Sequence, residues 1–251
     1  VIGNTTGKNF LTSTEGVNIK VTNGNVYNYG TKENLIRANG DVLINVENGA
    51  IGKEVGPCAN GVCTGIGTTS RDLTKSINMN VDGTVTGYST GNEALINIAS
   101  LDNDLRVNQI KSDGRVILLA DSSQKGSQAF NVVNRASNSN NPNVEGTSIS
   151  IISSGNIGEA NKALTFRQNG TGTIFYGDDA TKPHVLSAEN KPAQGVDLLA
   201  INNINVKGLD AENGEKLNTN VCAMIARKGN INAEFSGDVY IGETTAKNNI
   251  D

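Results

Sequence analysis

Two neighbouring aspartates and a histidine form the stretch best suited to acid–base chemistry. Asp178, Asp179 and His184 lie in "YGDDATKPH", residues 176–184. Paired carboxylates serve as acid and base in glycoside hydrolysis. Adjacent residues of a strand point to opposite faces, however, so Asp178 and Asp179 need a bend in the chain to act together. The sequence therefore favours a solvated loop here over a catalytic site.

A second polar stretch, "SLDNDLRVN" at 100–108, offers oxygen ligands of the kind that Ca²⁺ binds. Its candidate ligands are Asp102, Asp104 and Asn108. It lacks the glycine and the terminal glutamate of an EF-hand loop, and it does not match the calcium-binding nonapeptide repeat. We therefore interpret it as a polar corner. The sequence predicts no metal site and no cofactor.

The chain contains three cysteines. Cys58 and Cys63 bracket the glycine-containing tetrapeptide "ANGV", a spacing that can bring two Cα atoms to bridging distance. We predict a disulfide between them if the chain is exported, with free thiols as the main alternative and a metal site as a remote one, because no second cysteine pair accompanies them. Cys222, in "VCAMIA", is predicted to be a small buried apolar residue.

Composition and charge restrict the class of protein. The chain is 36% hydrophobic but only 4% aromatic, it has no tryptophan and 29 glycines, and asparagine is more abundant still. The net charge of −4 is spread over mixed acidic and basic residues with no basic stripe, which argues against nucleic-acid binding. No apolar run is long enough to cross a bilayer.

Short stretches in which glycine is followed by apolar residues recur along the chain, and we call them glycine pulses. The elements that they form must position the candidate residues above. Each glycine is predicted to lie at a turn. A strand is predicted to begin at the β-branched residue that follows, with apolar residues alternating with polar ones. Helical periodicity is weak, and even "EALINIASLDNDL" is interpreted as a strand and a turn. The pulses are "NGNV" (23–26), "NGDVLINV" (39–46), "NGAIG" (48–52), "DGTV" (82–85), "DGRVILL" (113–119), "SGNIG" (154–158), "TGTIF" (171–175), "KGNINA" (228–233) and "SGDVYIG" (236–242).

Many short strands of this kind suit either a β-sandwich array or a solenoid. Glycine and asparagine corners, small aliphatic residues and the absence of a linker favour an all-β parallel β-helix with extruded loops. At roughly 20 residues per coil the chain would form about twelve coils. Asparagine side chains are expected to stack and to satisfy backbone amides at the corners. The predicted loops are 53–70, 121–146, 177–195 and 208–219.

The stretches "SGNIGEANKALTFRQNGTGTIFYG" (154–177) and "NGDVLINVENGAIGK" (39–53) resemble the repeats of filamentous-haemagglutinin-type exoproteins, which are exported by two-partner secretion, and of related autotransporter passengers. The first stretch has the family's Gly-x-Ile-Gly step, short insertion and alternating strand. The resemblance covers roughly two thirds of the chain and is weakest over 121–146. The cysteines Cys58 and Cys63 depart from the pattern, since such proteins are nearly free of cysteine.

The resemblance implies a right-handed parallel β-helix on a secreted or surface-attached bacterial adhesin. Residues 1–251 are then expected to be one segment of a longer chain, since the sequence starts at "VIGNTTGKNF" without an initiator methionine. The expected role is non-enzymatic: a monomeric stalk that presents loops to a protein or glycan on a host or neighbouring cell. The alternative is a β-helical carbohydrate-active enzyme, either a polysaccharide lyase or a hydrolase.

Overall fold

A computed structural model describes residues 11–54, 72–121, 128–138, 140–169 and 195–246. These residues form parallel strands in two sheets, one of 10 strands and one of 9. Sheet 1 contains β1 (Leu11–Ser13), β3 (Ile36–Ala38), β5 (Ala50–Ile51), β6 (Ile77–Val81), β8 (Leu95–Ser100), β10 (Arg115–Ala120), β13 (Ser148–Ser153), β15 (Val196–Ala200), β17 (Thr219–Ala226) and β19 (Val239–Ala246). Sheet 2 contains β2 (Val17–Val21), β4 (Val42–Val46), β7 (Val85–Ser89), β9 (Leu105–Ser112), β11 (Val132–Asn134), β12 (Val144–Gly146), β14 (Leu164–Gln168), β16 (Ile204–Gly208) and β18 (Ile231–Glu234).

The chain alternates between the two sheets, except that β5 and β6 both join sheet 1 and β11 and β12 both join sheet 2. Each return adds a strand parallel to its neighbour in the sheet. In sheet 1, β8 pairs with β10, which pairs with β13. In sheet 2, β4 pairs with β7, which pairs with β9. This all-β arrangement is consistent with a solenoid, as the glycine pulses predict. The described residues include no helix that could span a membrane.

Alternation of apolar and polar residues decides which side of each strand faces the interior. In β4, Val42, Ile44 and Val46 are buried, whereas Leu43 and Asn45 are partly exposed. Such residues stack from one winding to the next because the strands pair in register. One column runs through successive strands of sheet 1, and all its members are buried: Ile98, Leu118, Ile151, Leu198 and Met224.

The other face of sheet 1 carries one buried apolar row, a feature that the period-two pattern does not predict. Ala99, Leu119, Ile152 and Leu199 alternate with the interior column, pair with one another and are likewise buried. Parallel strands that are buried on both faces read as continuous apolar runs. This explains runs such as "RVILLA", in which polar residues do not alternate with apolar ones.

An insertion within one winding of sheet 2 corrects a prediction. The described residues contribute 10 strands to sheet 1 and 9 to sheet 2. The number of about twelve coils stays a prediction for the whole chain. The predicted loop 121–146 is wrong in part: β11 and β12 lie within it, pair with the two halves of β9 and flank an insertion at 135–143. "EALINIASLDNDL" is the predicted strand and turn, and a connection at 209–218 matches the predicted loop 208–219.

Candidate functional site

Several predicted site residues lie outside the described part of the chain. These are the acid–base candidates Asp178, Asp179 and His184, which are interpreted as part of a solvated loop, and the predicted disulfide cysteines Cys58 and Cys63. Their roles stay predictions.

The candidate calcium ligands Asp102, Asp104 and Asn108 are each hydrogen bonded to a different side chain. Asp102 accepts a hydrogen bond from Asn34 Nδ2 at 2.7 Å, and Asn108 donates to Thr86 Oγ1 at 3.0 Å. Within the described residues, no group of three or more acidic, histidine or cysteine residues could hold a metal. Residues 101–104 form the turn between β8 and β9, as the polar-corner interpretation predicts.

Asp104 instead begins a ladder of side-chain amides at one corner of the fold. Its Oδ1 accepts hydrogen bonds from the backbone nitrogen and Nδ2 of Asn131 at 2.8 and 3.0 Å. Asn131 Oδ1 accepts the same two bonds from Asn156 at 2.7 and 3.0 Å, and Asn156 Oδ1 accepts them from Asn203 at 2.9 and 3.1 Å. Asn203 Oδ1 then accepts the backbone N–H of Asn230 at 2.9 Å. The predicted role of asparagine at corners is confirmed.

The ladder explains why glycine precedes asparagine in two of the pulses. A Cβ atom at Gly155 would lie 2.3 Å from Asn131 Oδ1, and one at Gly229 would lie 2.3 Å from Asn203 Oδ1. Only glycine leaves room for the amide oxygen of the preceding winding. The "GN" pairs at 155–156 and 229–230 are thus a packing requirement of this corner.

A cleft of about 500 Å³ lies beside β9, β12 and β14 and contains a network of charged side chains. Lys111, Glu145 and Arg167 occupy paired positions on these three strands. Lys111 Nζ lies 3.0 Å from Glu145 Oε1, and Arg167 Nη1 lies 3.2 Å from Glu145 Oε2. Asn169 Nδ2 also donates to Glu145 Oε1, at 2.6 Å. The carboxylate of Glu145 therefore has a partner for each oxygen.

Burial and charge within this cleft are uneven. The side chains of Glu145 and Arg167 are only 4% and 7% exposed, whereas that of Lys111 is 39% exposed. Burial acts to lower the pKa of Lys111, but hydrogen bonds and charge attraction from Glu145 and Glu212 outweigh it and raise this pKa. Lys111 is therefore held as a cation at the edge of the cleft, within reach of solvent.

Cations beside amide groups can bind carboxylates and hydroxyl groups. The sequence analysis missed this site because Lys111, Glu145 and Arg167 lie on separate windings. Their only local signal is a polar residue at an outward position of an alternating strand. Which outward positions meet depends on the register between windings.

A groove of about 430 Å³ on the outer face of β2, β4 and β7 is less charged. Tyr88, Leu43 and Thr86 line it together with Asn18 and Asp41. Asp41 Oδ1 accepts hydrogen bonds from the backbone N–H and the hydroxyl group of Thr84, at 2.7 and 2.9 Å. The groove offers one aromatic ring and few unengaged polar groups.

No protein-family model matches the chain, and neither does a curated protein or a solved structure.

Proposed function

We propose that this chain is a non-enzymatic segment of a secreted or surface-displayed bacterial adhesin, built as a right-handed parallel β-helix that acts as a stalk and presents loops. The observation that carries the proposal is the pairing of successive parallel strands through the described residues, in which each winding covers the next. Such an architecture spans distance and presents side loops without disturbing its core.

Two physical features support the proposal. The chain leaves a sheet, passes through the other sheet and returns to an adjacent parallel strand, and connections of this type are right-handed in nearly all proteins. The connection at 209–218 lies beside the charged cleft, where its Asp210 carbonyl accepts a bond from Arg167, and its residues Glu212, Asn213 and Glu215 are exposed. Resemblance of 154–177 to filamentous-haemagglutinin-type repeats supplies the link to attachment.

Attachment is tested with the purified chain. Beads coated with it are expected to adhere to cultured host cells or to bacterial cells, whereas beads coated with heat-unfolded chain or with albumin are not. A chain that only separates other parts of a longer protein would give no adhesion above albumin. That result would contradict the adhesive role.

The alternative, a carbohydrate-active enzyme, is tested separately. Release of reducing ends or of unsaturated products is measured over several polysaccharides, with Asp178→Ala and Asp179→Ala variants as controls. Turnover that disappears in these variants would overturn the non-enzymatic proposal.

A further inference from the structure

The charged cleft contains an exposed glutamate that lies beside two of its cations. Glu212, in the 209–218 connection, has a side chain that is 75% exposed. Its Oε1 lies 3.4 Å from Lys111 Nζ and 3.6 Å from Arg167 Nη1. One oxygen of an otherwise solvated carboxylate thus lies against two cations.

The rest of the network leaves positive charge for Glu212 to balance. Glu145 is the buried carboxylate of the network, and it forms ion pairs with both Lys111 and Arg167. A third cation, Lys216, also lines the cleft. Without Glu212, three cations would face one carboxylate.

The backbone of the connection that carries Glu212 is held by hydrogen bonds that do not involve the Glu212 side chain. Leu209 N–H donates to Phe166 O at 2.8 Å, and Arg167 Nε donates to Asp210 O at 2.7 Å. Ala211 N–H donates to Glu215 O and Gly214 N–H donates to Ala211 O, both at 2.9 Å. Ion pairs of exposed glutamates contribute little to stability, because solvent screens them and ordering the side chain costs entropy. An external carboxylate can therefore replace Glu212 at small cost.

We propose that this cleft binds the carboxylate of an acidic saccharide at the position of Glu212 Oε1, and that Glu212 acts as a competing internal ligand. Asn169 and Asn218 also line the cleft. Each amide has donor and acceptor capacity beyond its bond to Glu145 or to the Asp238 N–H, which suits the hydroxyl groups of a sugar ring. A volume of about 500 Å³ is within the range of small-ligand sites. Charge and amide groups together favour a uronic acid over a neutral sugar.

This inference rests on the proposed attachment function only for the source of the saccharide. Binding is measured on the purified chain and attachment on coated beads, so the two can fail independently. Binding without attachment would contradict the adhesive role and leave the cleft assignment standing.

Isothermal titration calorimetry with trigalacturonate, and with neutral galactotriose as comparison, tests the proposal. We expect binding of trigalacturonate alone, weakened by added salt. Glu212→Gln should bind it about threefold more tightly, because the internal competitor has lost its charge. Lys111→Gln should bind it at least about tenfold more weakly, because a direct cation is lost.

Glu234→Gln is the matched control. Glu234 is similarly exposed, at 70%, and pairs with Lys207 at 2.6 Å on β16 and β18, so this variant removes the same charge outside the cleft. It should bind like the unaltered chain. Thermal unfolding of each variant identifies any that fails to fold.

Three results would overturn the inference. They are absence of trigalacturonate binding in both the unaltered chain and Glu212→Gln, equal affinity of Glu212→Gln and Glu234→Gln, and equal binding of the neutral trisaccharide.

Discussion

Single charged residues in this protein are stabilised by partners on neighbouring windings. Glu145 and Arg167 are almost fully buried, and burying an ionised group is costly unless its partners replace water. Here Lys111, Asn169 and the backbone carbonyl of Asp210 complete the set of partners, the last accepting a bond from Arg167 Nε at 2.7 Å. Removing only Arg167 or only Glu145 should therefore destabilise the fold more than removing both.

Replacing Arg167 with methionine tests this at the residue scale. The variant leaves Glu145 buried without one of its cations, and we expect the free energy of unfolding to fall by about 3 kcal/mol or more. The double variant Arg167→Met/Glu145→Leu should recover part of this loss. Urea unfolding of the single and double variants measures both effects, and a double variant no more stable than Arg167→Met would contradict the account.

A second residue-scale prediction concerns pH. Arg135 Nη1 and Nη2 lie 2.6 and 3.2 Å from the two carboxylate oxygens of Glu159. The hydrogen bonds and charge of Arg135 hold the pKa of Glu159 below its ordinary value of 4.5, against a smaller effect of burial. Because folding lowers the pKa of Glu159, its ionised carboxylate stabilises the folded chain. This stabilisation is complete above the ordinary pKa and is lost as the pH falls through the lowered pKa.

We therefore expect Glu159→Gln to be less stable than the unaltered chain near neutral pH, and the difference to vanish in acid below the lowered pKa of Glu159. Urea midpoints across this pH range provide the measurement. Glu47→Gln, which removes an exposed carboxylate 3.2 Å from Lys20, is the control and should have little effect. A difference that persists in acid would show that Glu159 acts through packing and not through its charge.

At the scale of elements, the asparagine ladder fixes the corner that precedes the strands of sheet 2. Each ladder residue is followed by an inward aliphatic residue: Leu105, Val132, Ile157, Ile204 and Ile231. These residues pair in sequence from winding to winding. The ladder and the apolar column therefore set the same register.

Asn156→Ala should disrupt this corner. The change removes the acceptor for the backbone and side chain of Asn203 and the donor to Asn131. Leaving partly buried groups without partners should cost about 2 kcal/mol. Urea unfolding measures the loss, and Asn18→Ala, at an exposed position of β2, is the control and should stay within about 0.5 kcal/mol. Equal effects of the two variants would show that the ladder does not stabilise the corner.

At the scale of the whole molecule, the stacked windings should give a graded stability. Each winding contacts mainly its neighbours. In the described part of the chain the central strands pair on both sides, whereas β1, β2, β18 and β19 pair on one side. Side chains show the same gradient: Leu11 in β1 and Ile241 in β19 are 40% and 53% exposed, whereas Ile98 and Ile151 are fully buried.

Hydrogen exchange followed by mass spectrometry tests this gradient. We expect amides of β8, β10 and β13 to exchange most slowly and those of β1, β2 and β19 most rapidly, because the ends open without disturbing the centre. Uniform protection along the chain would indicate a single cooperative unit and contradict the expectation.

The sequence by itself determined the strands, their corners and the direction in which most side chains point. Glycine and asparagine at corners and aliphatic residues at alternate positions are local signals, and they predicted the parallel strands and the role of the corner asparagines. These signals work because a strand has a fixed period of two.

Only the tertiary structure decided which windings are neighbours. Insertions of unequal length separate paired strands, so the sequence distance between partners such as Lys111, Glu145 and Arg167 has no constant value. The charged cleft and the second buried row of sheet 1 both depend on that lateral register. Register is fixed by hydrogen bonding and stacking between distant segments, and a local pattern does not contain it.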